Sequence, residues 1–397
     1  MDQALQQKDS RYFGRGFPLV PIEIVKAKDS FLYDTKGKKY IDFLMGWCVG
    51  NIGWGVKEIR NAIKNFDGPE YIRPFYLYKP WVELAQLLAK ITPGKLTKSY
   101  PATGGTEAVE IALQAAMSYT KRSKFISIEG SYHGHSIGAM SVGSSGFRKH
   151  YVNLLPGCYK IKPPLNAKAA REAEELLQKG DIAGFIMEPI VCNLGVLIPN
   201  QEFFEIITNA CKRYGTVFII DEVATGFGRC GKMFAAELFD LKPDIMTFAK
   251  GITGGYAALG ATITTEEVAK SMDWEFSFYS TYGWHPTSVE AALATIKYML
   301  NNEEKLFKHI EELGKFFEDN LKKIQFRYKA WVRIKGLAVA VEFEEKDLSY
   351  TRQIIERCRE KGLLITDEAS HILTFFPALT IDKKTAGEGL RILESCV

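Results

Sequence analysis

With 397 residues, a hydrophobic content of 46% and a net charge of +4, the chain has the composition of a globular protein large enough for two domains. Its 51 basic residues nearly balance 47 acidic ones, which argues against nucleic acid as the main partner. The sequence has no apolar run long enough for a membrane span and no signal-peptide core behind Met1.

The cysteines and histidines indicate neither disulfides nor a metal site. Seven cysteines are scattered without a C-x-x-C pair, which is typical of free thiols in a reducing compartment. His133 and His135 are close in sequence, but nothing nearby completes a set of metal ligands. We therefore expect a cytoplasmic protein without a metal ion.

In chain order, the sequence first predicts two short N-terminal strands, near 23–28 and 31–34. Apolar, β-branched runs then predict strands at 124–128, 182–187, 216–220 and 244–249. Amphipathic segments around these strands predict helices at 106–119, 167–179, 201–214 and 232–238. This alternation predicts an α/β protein with a mainly parallel sheet that is covered by helices on both faces.

The pattern changes after Pro286. Long helices are predicted at 287–300 and 303–324, and strands near 331–343 and 372–376 flank a helix at 349–361. This mixture predicts a smaller α+β domain to which the N-terminal strands are added. The expected division is an N-terminal segment of residues 1–50 that packs with the small domain, a large domain of residues 51–285, and a small domain of residues 286–397.

Chemically reactive side chains follow several predicted strands at the point where each strand ends. Tyr132 lies in the loop after the first strand of the sheet, and Glu188, Asp221 and Lys250 follow the next three. Each residue alone has a simpler explanation as a turn cap, a packing ring or a strand end in solvent. Because ligands of open α/β sheets bind at the carboxyl ends of the strands, we expect these side chains to meet at one edge.

Together these residues match the needs of pyridoxal 5'-phosphate. The cofactor requires a lysine amine for a Schiff base, a carboxylate that keeps its pyridine nitrogen protonated, and a cradle for its phosphate. The segment TGGTEAVE at 103–110 is a candidate cradle, because helix N-terminal amides and the Thr106 hydroxyl can donate to an anion. Lys250 is accordingly expected to be buried, and Asp221 to have a cationic partner.

Three long motifs resemble those of the class III aminotransferases, which are fold type I pyridoxal-phosphate enzymes. They are EGSYHGHSIGAMSVG at 129–143, DEVATGFGRCGKMFAAE at 221–237 and TFAKGITGGYAALGA at 247–261. Among these enzymes, the motifs are most similar to those of diaminopelargonate and ω-amine aminotransferases. The resemblance implies a homodimer that moves an amino group from an amine or ω-amino donor to a 2-oxo acid by a ping-pong mechanism.

The resemblance also implies roles for individual residues. Lys250 would hold the cofactor as a Schiff base, and Asp221 would pair with the pyridine nitrogen. The other implied cofactor positions are Gly105 and Thr106 at the phosphate, Tyr132 and Val223 on the two ring faces, Glu188 beside Asp221, and Thr281 reaching the phosphate of the neighbouring subunit.

The sequence departs from these relatives at positions that select the substrate. Relatives that act on ornithine or γ-aminobutyrate carry a Gln-Gly-Glu run where this chain has Val191-Cys192-Asn193, and an arginine where it has Thr374. Their substrates are therefore disfavoured. Trp47 is a candidate to line the substrate entrance, and Arg73 is a candidate to meet a substrate carboxylate.

An acidic pair, Asp367 and Glu368, lies close to where the ω-amine relatives place an arginine. If the pair faces the pocket, its carboxylates would bind a second ammonium group of an amine-rich substrate. If it lies in a solvated turn, nothing follows for the substrate. The rarity of buried acidic side chains favours the turn.

Two further functions stay open. An aminomutase, epimerase or decarboxylase would share the fold and the cofactor. Stoichiometric production of aminated cofactor from an amine, without an acceptor, would favour transamination. A non-catalytic binding protein that keeps the fold is disfavoured by the intact set of Lys250, Asp221, Tyr132 and Thr106. A yellow colour that borohydride fixes onto the protein would distinguish an enzyme from it.

Overall fold

The computed structural model describes residues 3–275, 277–368 and 371–397. Helix α1 (Gln3–Tyr12) precedes a meander of three antiparallel strands, β1 (Ile24–Lys28), β2 (Phe31–Asp34) and β3 (Lys39–Asp42). The two predicted N-terminal strands are thereby confirmed. A short helical turn, α2 (Met45–Cys48), follows, and all four of its residues have φ between 47° and 65°. This left-handed conformation is strained for every residue type except glycine.

The middle of the chain builds a seven-stranded sheet. Its elements are α3 (Lys57–Lys64), α4 (Lys79–Ile91), β4 (Leu96–Ala102), α5 (Gly105–Thr120), β5 (Lys124–Ile128), α6 (Ile137–Val142), β6 (Cys158–Ile161), α7 (Ala167–Leu177), β7 (Ile182–Met187), α8 (Gln201–Tyr214), β8 (Val217–Asp221), β9 (Ile245–Phe248), β10 (Gly260–Thr265) and α9 (Glu266–Lys270). The strand order is β4-β10-β9-β8-β7-β5-β6, and only β10 runs antiparallel to its neighbours. The predicted mainly parallel α/β sheet is confirmed.

One predicted helix of this region is wrong. Residues 232–238 form only a short 3-10 turn at Ala235–Phe239. The N–H groups of Phe234 and Ala236 donate to the carboxylates of Glu237 and Glu222, and Asp240 adopts the left-handed conformation that ends the turn. These side-chain bonds cap the start of the turn, and the left-handed Asp240 ends it after five residues.

The C-terminal part supplies the α+β elements. They are α10 (Pro286–Asn301), α11 (Glu303–Leu321), β11 (Ala330–Lys335), β12 (Ala338–Phe343), α12 (Leu348–Glu360), β13 (Leu363–Leu364), β14 (Thr366–Glu368), β15 (Ile372–Phe375) and α13 (Lys383–Glu394). Strands β11, β12, β15 and β14 form an antiparallel sheet, while β13 pairs in parallel with β3 of the N-terminal meander. The predicted strand region near 331–343 is a hairpin that turns at Gly336, where φ is 58°.

The sheets bury their apolar strands as expected. Every residue of β7 and β8 is buried, since helices cover both faces of a parallel sheet. Of the helices formed by the described residues, none has the length and apolar character needed to cross a membrane.

Candidate active site

The parallel strands of the large sheet end at one edge, and a cavity opens there. Eight of the ten residues that the sequence singles out line this cavity. These eight are Trp47, Gly105, Thr106, Tyr132, Glu188, Asp221, Val223 and Lys250. The edge position follows from topology, because β5, β7, β8 and β9 run in the same direction and deliver their next residues to the same side.

Arg73 and Thr281, the two other singled-out residues, are not among the described residues that line this cavity. Both are exposed on the surface of the single chain. The Arg73 guanidinium lies over the ring of Phe75, with 4.9 Å between the guanidinium carbon and the ring centre.

Asp221 ends β8 as a buried carboxylate, only 2% exposed. Its Oδ2 lies 2.7 Å from Nδ1 of His133, and its Oδ1 accepts hydrogen bonds from the Val223 N–H and the Thr247 hydroxyl, both at 3.0 Å. The partner that Asp221 was expected to have is therefore an imidazole. This role of His133 was not predicted from the sequence. Its place next to Tyr132 in the 129–143 motif was the one signal that could have pointed to it.

Glu188 lies beside this pair and is also buried. Burial, and secondarily the negative charge of Asp221, hold the pKa of Glu188 well above its ordinary value. Its Oε2 accepts a long hydrogen bond of 3.4 Å from the Cys192 N–H. Burial therefore favours the protonated form of Glu188, which can donate a hydrogen bond.

Three buried polar atoms around the cavity have no hydrogen-bond partner among the described residues. They are His133 Nε2, Glu188 Oε1 and Asn193 Oδ1. Buried polar groups are nearly always paired, so three unpaired atoms around one cavity point to a polar ligand. Asn193, whose Nδ2 donates to the Gly130 carbonyl at 2.6 Å, is a lining residue that the sequence did not single out.

The N-terminus of α5 forms another part of the cavity wall, since Gly105 and Thr106 line it. Gly104, its N-cap, has no side chain with which to cap the helix, so the first N–H groups of this 16-residue helix face the cavity edge. A Cβ at Gly105 would lie 3.0 Å from Val223 Cγ1, and a Cβ at Gly134 would lie 2.7 Å from Thr106 Oγ1. Glycine is thus needed at both positions, and the uncapped amides form a cradle for an anion.

Lys250 follows β9 in a left-handed conformation with φ of 47°. Its ammonium nitrogen lies 4.3 Å from the centre of the Trp47 ring, a cation–π distance. The expected burial is only partial, because the lysine faces the open cavity rather than the core. Strain of this kind is typical of functional sites.

The solvated-turn interpretation of the acidic pair is wrong for Glu368. This residue ends β14, is partly buried, and accepts a 3.0 Å hydrogen bond from Trp47 Nε1 at its Oε1. Burial raises the pKa of Glu368 to about 7, although the Trp47 hydrogen bond and Lys250 oppose the shift. Pairing of β14 with β15 places the residue close to Trp47 and Lys250, which its local sequence could not indicate.

The donor set fits pyridoxal 5'-phosphate. A free lysine amine, a buried carboxylate, an uncapped helix N-terminus and unpaired polar atoms surround one cavity, and each matches a different group of the cofactor. No cluster of three potential metal ligands occurs in the part of the chain that the structure describes.

Comparison with known proteins agrees with this site. The family described as "Aminotransferase class-III" matches residues 12–397. Several solved structures are similar over 97% or more of both chains. An adenosylmethionine-8-amino-7-oxononanoate aminotransferase from Methanocaldococcus jannaschii is 30% identical, with a TM-score of 0.91 and coverage of 99% of this chain and 98% of that one.

Two other solved structures are transaminases. An (S)-enantioselective ω-transaminase from Thermomicrobium roseum is 27% identical, with a TM-score of 0.91 and coverage of 99% and 98%. An amine transaminase from an uncultivated Pseudomonas species, solved in its pyridoxal-phosphate-bound form, is also 27% identical, with a TM-score of 0.88 and coverage of 97% and 98%. The chain therefore belongs to the class III aminotransferases, and it is a pyridoxal-phosphate-dependent enzyme of amino-group transfer.

Proposed function

We propose that the cavity binds pyridoxal 5'-phosphate and moves an amino group from an amine donor to a 2-oxo acid in two half-reactions of a ping-pong cycle. The observation that carries the proposal is the meeting of Lys250 with the buried Asp221–His133 pair in one cavity.

In this proposal each residue has one task. The cofactor, when bound, supplies an electron sink that stabilises negative charge at the donor carbon. Asp221 holds the proton of the pyridine nitrogen, and His133 orients Asp221 through the 2.7 Å contact. Lys250 Nζ holds the cofactor and then takes the proton from the carbon that bears the amine.

The remaining lining residues bind the phosphate of the cofactor and enclose its ring. Gly105 and Thr106 bind the phosphate at the start of α5, where the helix dipole favours an anion. Val223 and Tyr132 would cover the two faces of the bound ring and keep water from it. Glu188, whose pKa is held well above its ordinary value by burial, lies beside Asp221.

We further propose a homodimer in which Thr281 of the partner subunit reaches the phosphate. Support comes from exposed rings near Thr281, since Tyr279 and Tyr282 are 47% and 63% exposed and Phe75 is 64% exposed. Such a concentration of exposed aromatic surface is typical of an interface. Arg73, in the same region, remains a candidate for a substrate carboxylate.

The proposed domain division keeps residues 1–50 with the C-terminal domain 286–397 and treats 51–285 as the large domain. The parallel pairing of β3 with β13 supports the first part. Helix α10 packs against α3 and α4 and so connects the two domains. All seven cysteines are free thiols, which supports a cytoplasmic location.

The test is the pair of variants Lys250→Ala and Lys242→Ala. Lys242 is an exposed lysine of the same domain and serves as the control. Borohydride should fix the cofactor onto the wild type and onto Lys242→Ala but not onto Lys250→Ala, and only Lys250→Ala should lose turnover of an amine with pyruvate. Transamination by Lys250→Ala at the wild-type rate would refute the assignment.

A further inference from the structure

One carboxylate lies close to two residues that line the cavity, Trp47 and Lys250. Glu368 Oε1 accepts a hydrogen bond from Trp47 Nε1 at 3.0 Å, and the same Trp47 ring lies 4.3 Å from Lys250 Nζ. The indole packs on Phe376, with 4.9 Å between ring centres, which limits its movement. Trp47 therefore holds Glu368 at a set distance from the reacting lysine.

Glu368 has no cationic side chain of its own. The ion pairs among the described residues do not include Glu368. Lys250 lies near enough to lower its pKa, but burial and the neighbouring Asp367 raise it. Because Lys250 is assigned to the cofactor, it is not a lasting partner, and a partly buried carboxylate without a cation is costly.

We propose that Glu368 binds a second ammonium group of the amine donor, so that diamines are preferred over monoamines of the same length. The proposal rests on the proposed function, because it assumes that the reacting amine of the donor replaces Lys250 Nζ in the cavity. A charge-assisted hydrogen bond from the ammonium to the carboxylate would then supply the missing cation.

The spacing limits the length of the diamine. The path from Lys250 Nζ over the indole to Glu368 Oε1 is at most roughly 10 Å, given the two contacts and the width of the ring. An ammonium nitrogen must stay about 2.8 Å from the carboxylate oxygen. A chain of about four or five carbons between the two nitrogens fits the remaining span, since an extended chain advances by roughly 1.25 Å per bond.

The neighbouring carboxylate provides a matched control. In a strand, successive side chains point to opposite faces, so Asp367 lies on the face of β14 opposite to Glu368. Glu368→Gln removes one charge but keeps an oxygen that accepts from Trp47 Nε1. Asp367→Asn removes the same charge one residue away without touching the Trp47 contact.

The experiment compares pentane-1,5-diamine with pentan-1-amine. Dissociation constants are measured by calorimetry with the cofactor-loaded wild type and both variants, and kcat/KM with pyruvate as acceptor is measured in parallel. We expect the wild type and Asp367→Asn to prefer the diamine by about tenfold or more in both measurements, which corresponds to one charge-assisted contact. Glu368→Gln should lose this preference and keep its affinity for the monoamine.

The outcomes separate the two proposals. Equal affinity of the wild type for diamine and monoamine, or a preference that persists in Glu368→Gln, would overturn the role of Glu368. Turnover of neither amine would overturn the proposed function, while the binding preference would still decide the role of Glu368. If Glu368 only anchors Trp47, Glu368→Gln should leave the preference for the diamine unchanged. Loss of the preference in Glu368→Gln would therefore exclude a purely structural role.

A pH series adds an independent readout. The charged or titratable groups whose charges act on Glu368 are Lys250, Asp367 and the buried thiol of Cys48. Only the ionised form of Glu368 attracts an ammonium, so the diamine preference of the wild type should grow as the pH rises from 6 to 8. The preference is taken as the ratio of the two affinities, so that effects of pH on the reacting amine, which both substrates share, cancel. A ratio that does not change with pH would count against the proposal.

Discussion

Gly134→Ala tests the proposed phosphate cradle without changing any polar group. A Cβ at position 134 would lie 2.7 Å from Thr106 Oγ1 and 2.9 Å from Thr106 Cα, and the backbone at Gly134 has φ of 130°. Carbon contacts normally lie at about 3.5–4.0 Å. The hydroxyl can rotate away, but the Thr106 Cα belongs to the first turn of α5 and can move only with the helix.

The substitution lowers stability through two effects and cofactor affinity through a third. Overpacking against the helix costs about 1–3 kcal/mol, and the glycine-only backbone conformation adds about 1–3 kcal/mol. Displacement of Thr106 also removes one hydrogen bond to the phosphate, which is worth about 1.5–3 kcal/mol when the acceptor is charged. We therefore expect the dissociation constant for pyridoxal 5'-phosphate to rise by roughly 10- to 100-fold.

The matched control is Gly180→Ala. Gly180 also has a positive φ, 71°, but a Cβ there would meet no atom within 4 Å. It should lose about 1–2 kcal/mol of stability through backbone strain alone and keep its cofactor affinity. Cofactor titration followed by absorbance, together with thermal melts of both variants, gives the comparison. If Gly134→Ala bound the cofactor as tightly as Gly180→Ala does, the cradle at Thr106 would be refuted.

Two further predictions concern stability. Burial raises the pKa of Glu222 from 4.5 to about 7. Because the folded state then holds the proton more tightly than the unfolded state, stability falls as the pH rises through this window. The expected loss is about 2 kcal/mol between pH 5 and 8. Glu222→Gln mimics the neutral acid and can still accept from the Thr225 hydroxyl, so the melting temperature of this variant should vary less over this range. Parallel curves of melting temperature against pH for the wild type and the variant would contradict the raised pKa of Glu222. Arg229 is fully buried and donates to the carbonyls of Leu337 and Pro377 and to the side-chain oxygen of Asn51. Arg229→Met should lower the free energy of unfolding in urea by at least about 3 kcal/mol, because these acceptors lose their donor. A loss below about 1 kcal/mol would show that the acceptors find other donors.

Local patterns predicted the continuous apolar strands well and the polar or short strands poorly. Strands β5 and β7 and helix α8 have the predicted bounds, because apolar runs and helical periodicity are local signals. Strands β4, β6 and β10 were missed. The first contains a proline and several polar residues, the second has four residues, and the third is rich in threonine, so none shows the continuous apolar run of a central strand.

The sequence alone determined which reactive side chains meet at the site, because the residue after a buried strand must emerge at the edge of the sheet. Lys250, Asp221 and Glu188 could be placed on that basis. Only the tertiary structure decided their partners. His133 meets Asp221 across 88 residues, and Trp47 meets Glu368 across 321. Such contacts depend on how the two sheets pack and on the register of β14 beside β15, which no local pattern of hydrophobic and polar residues encodes.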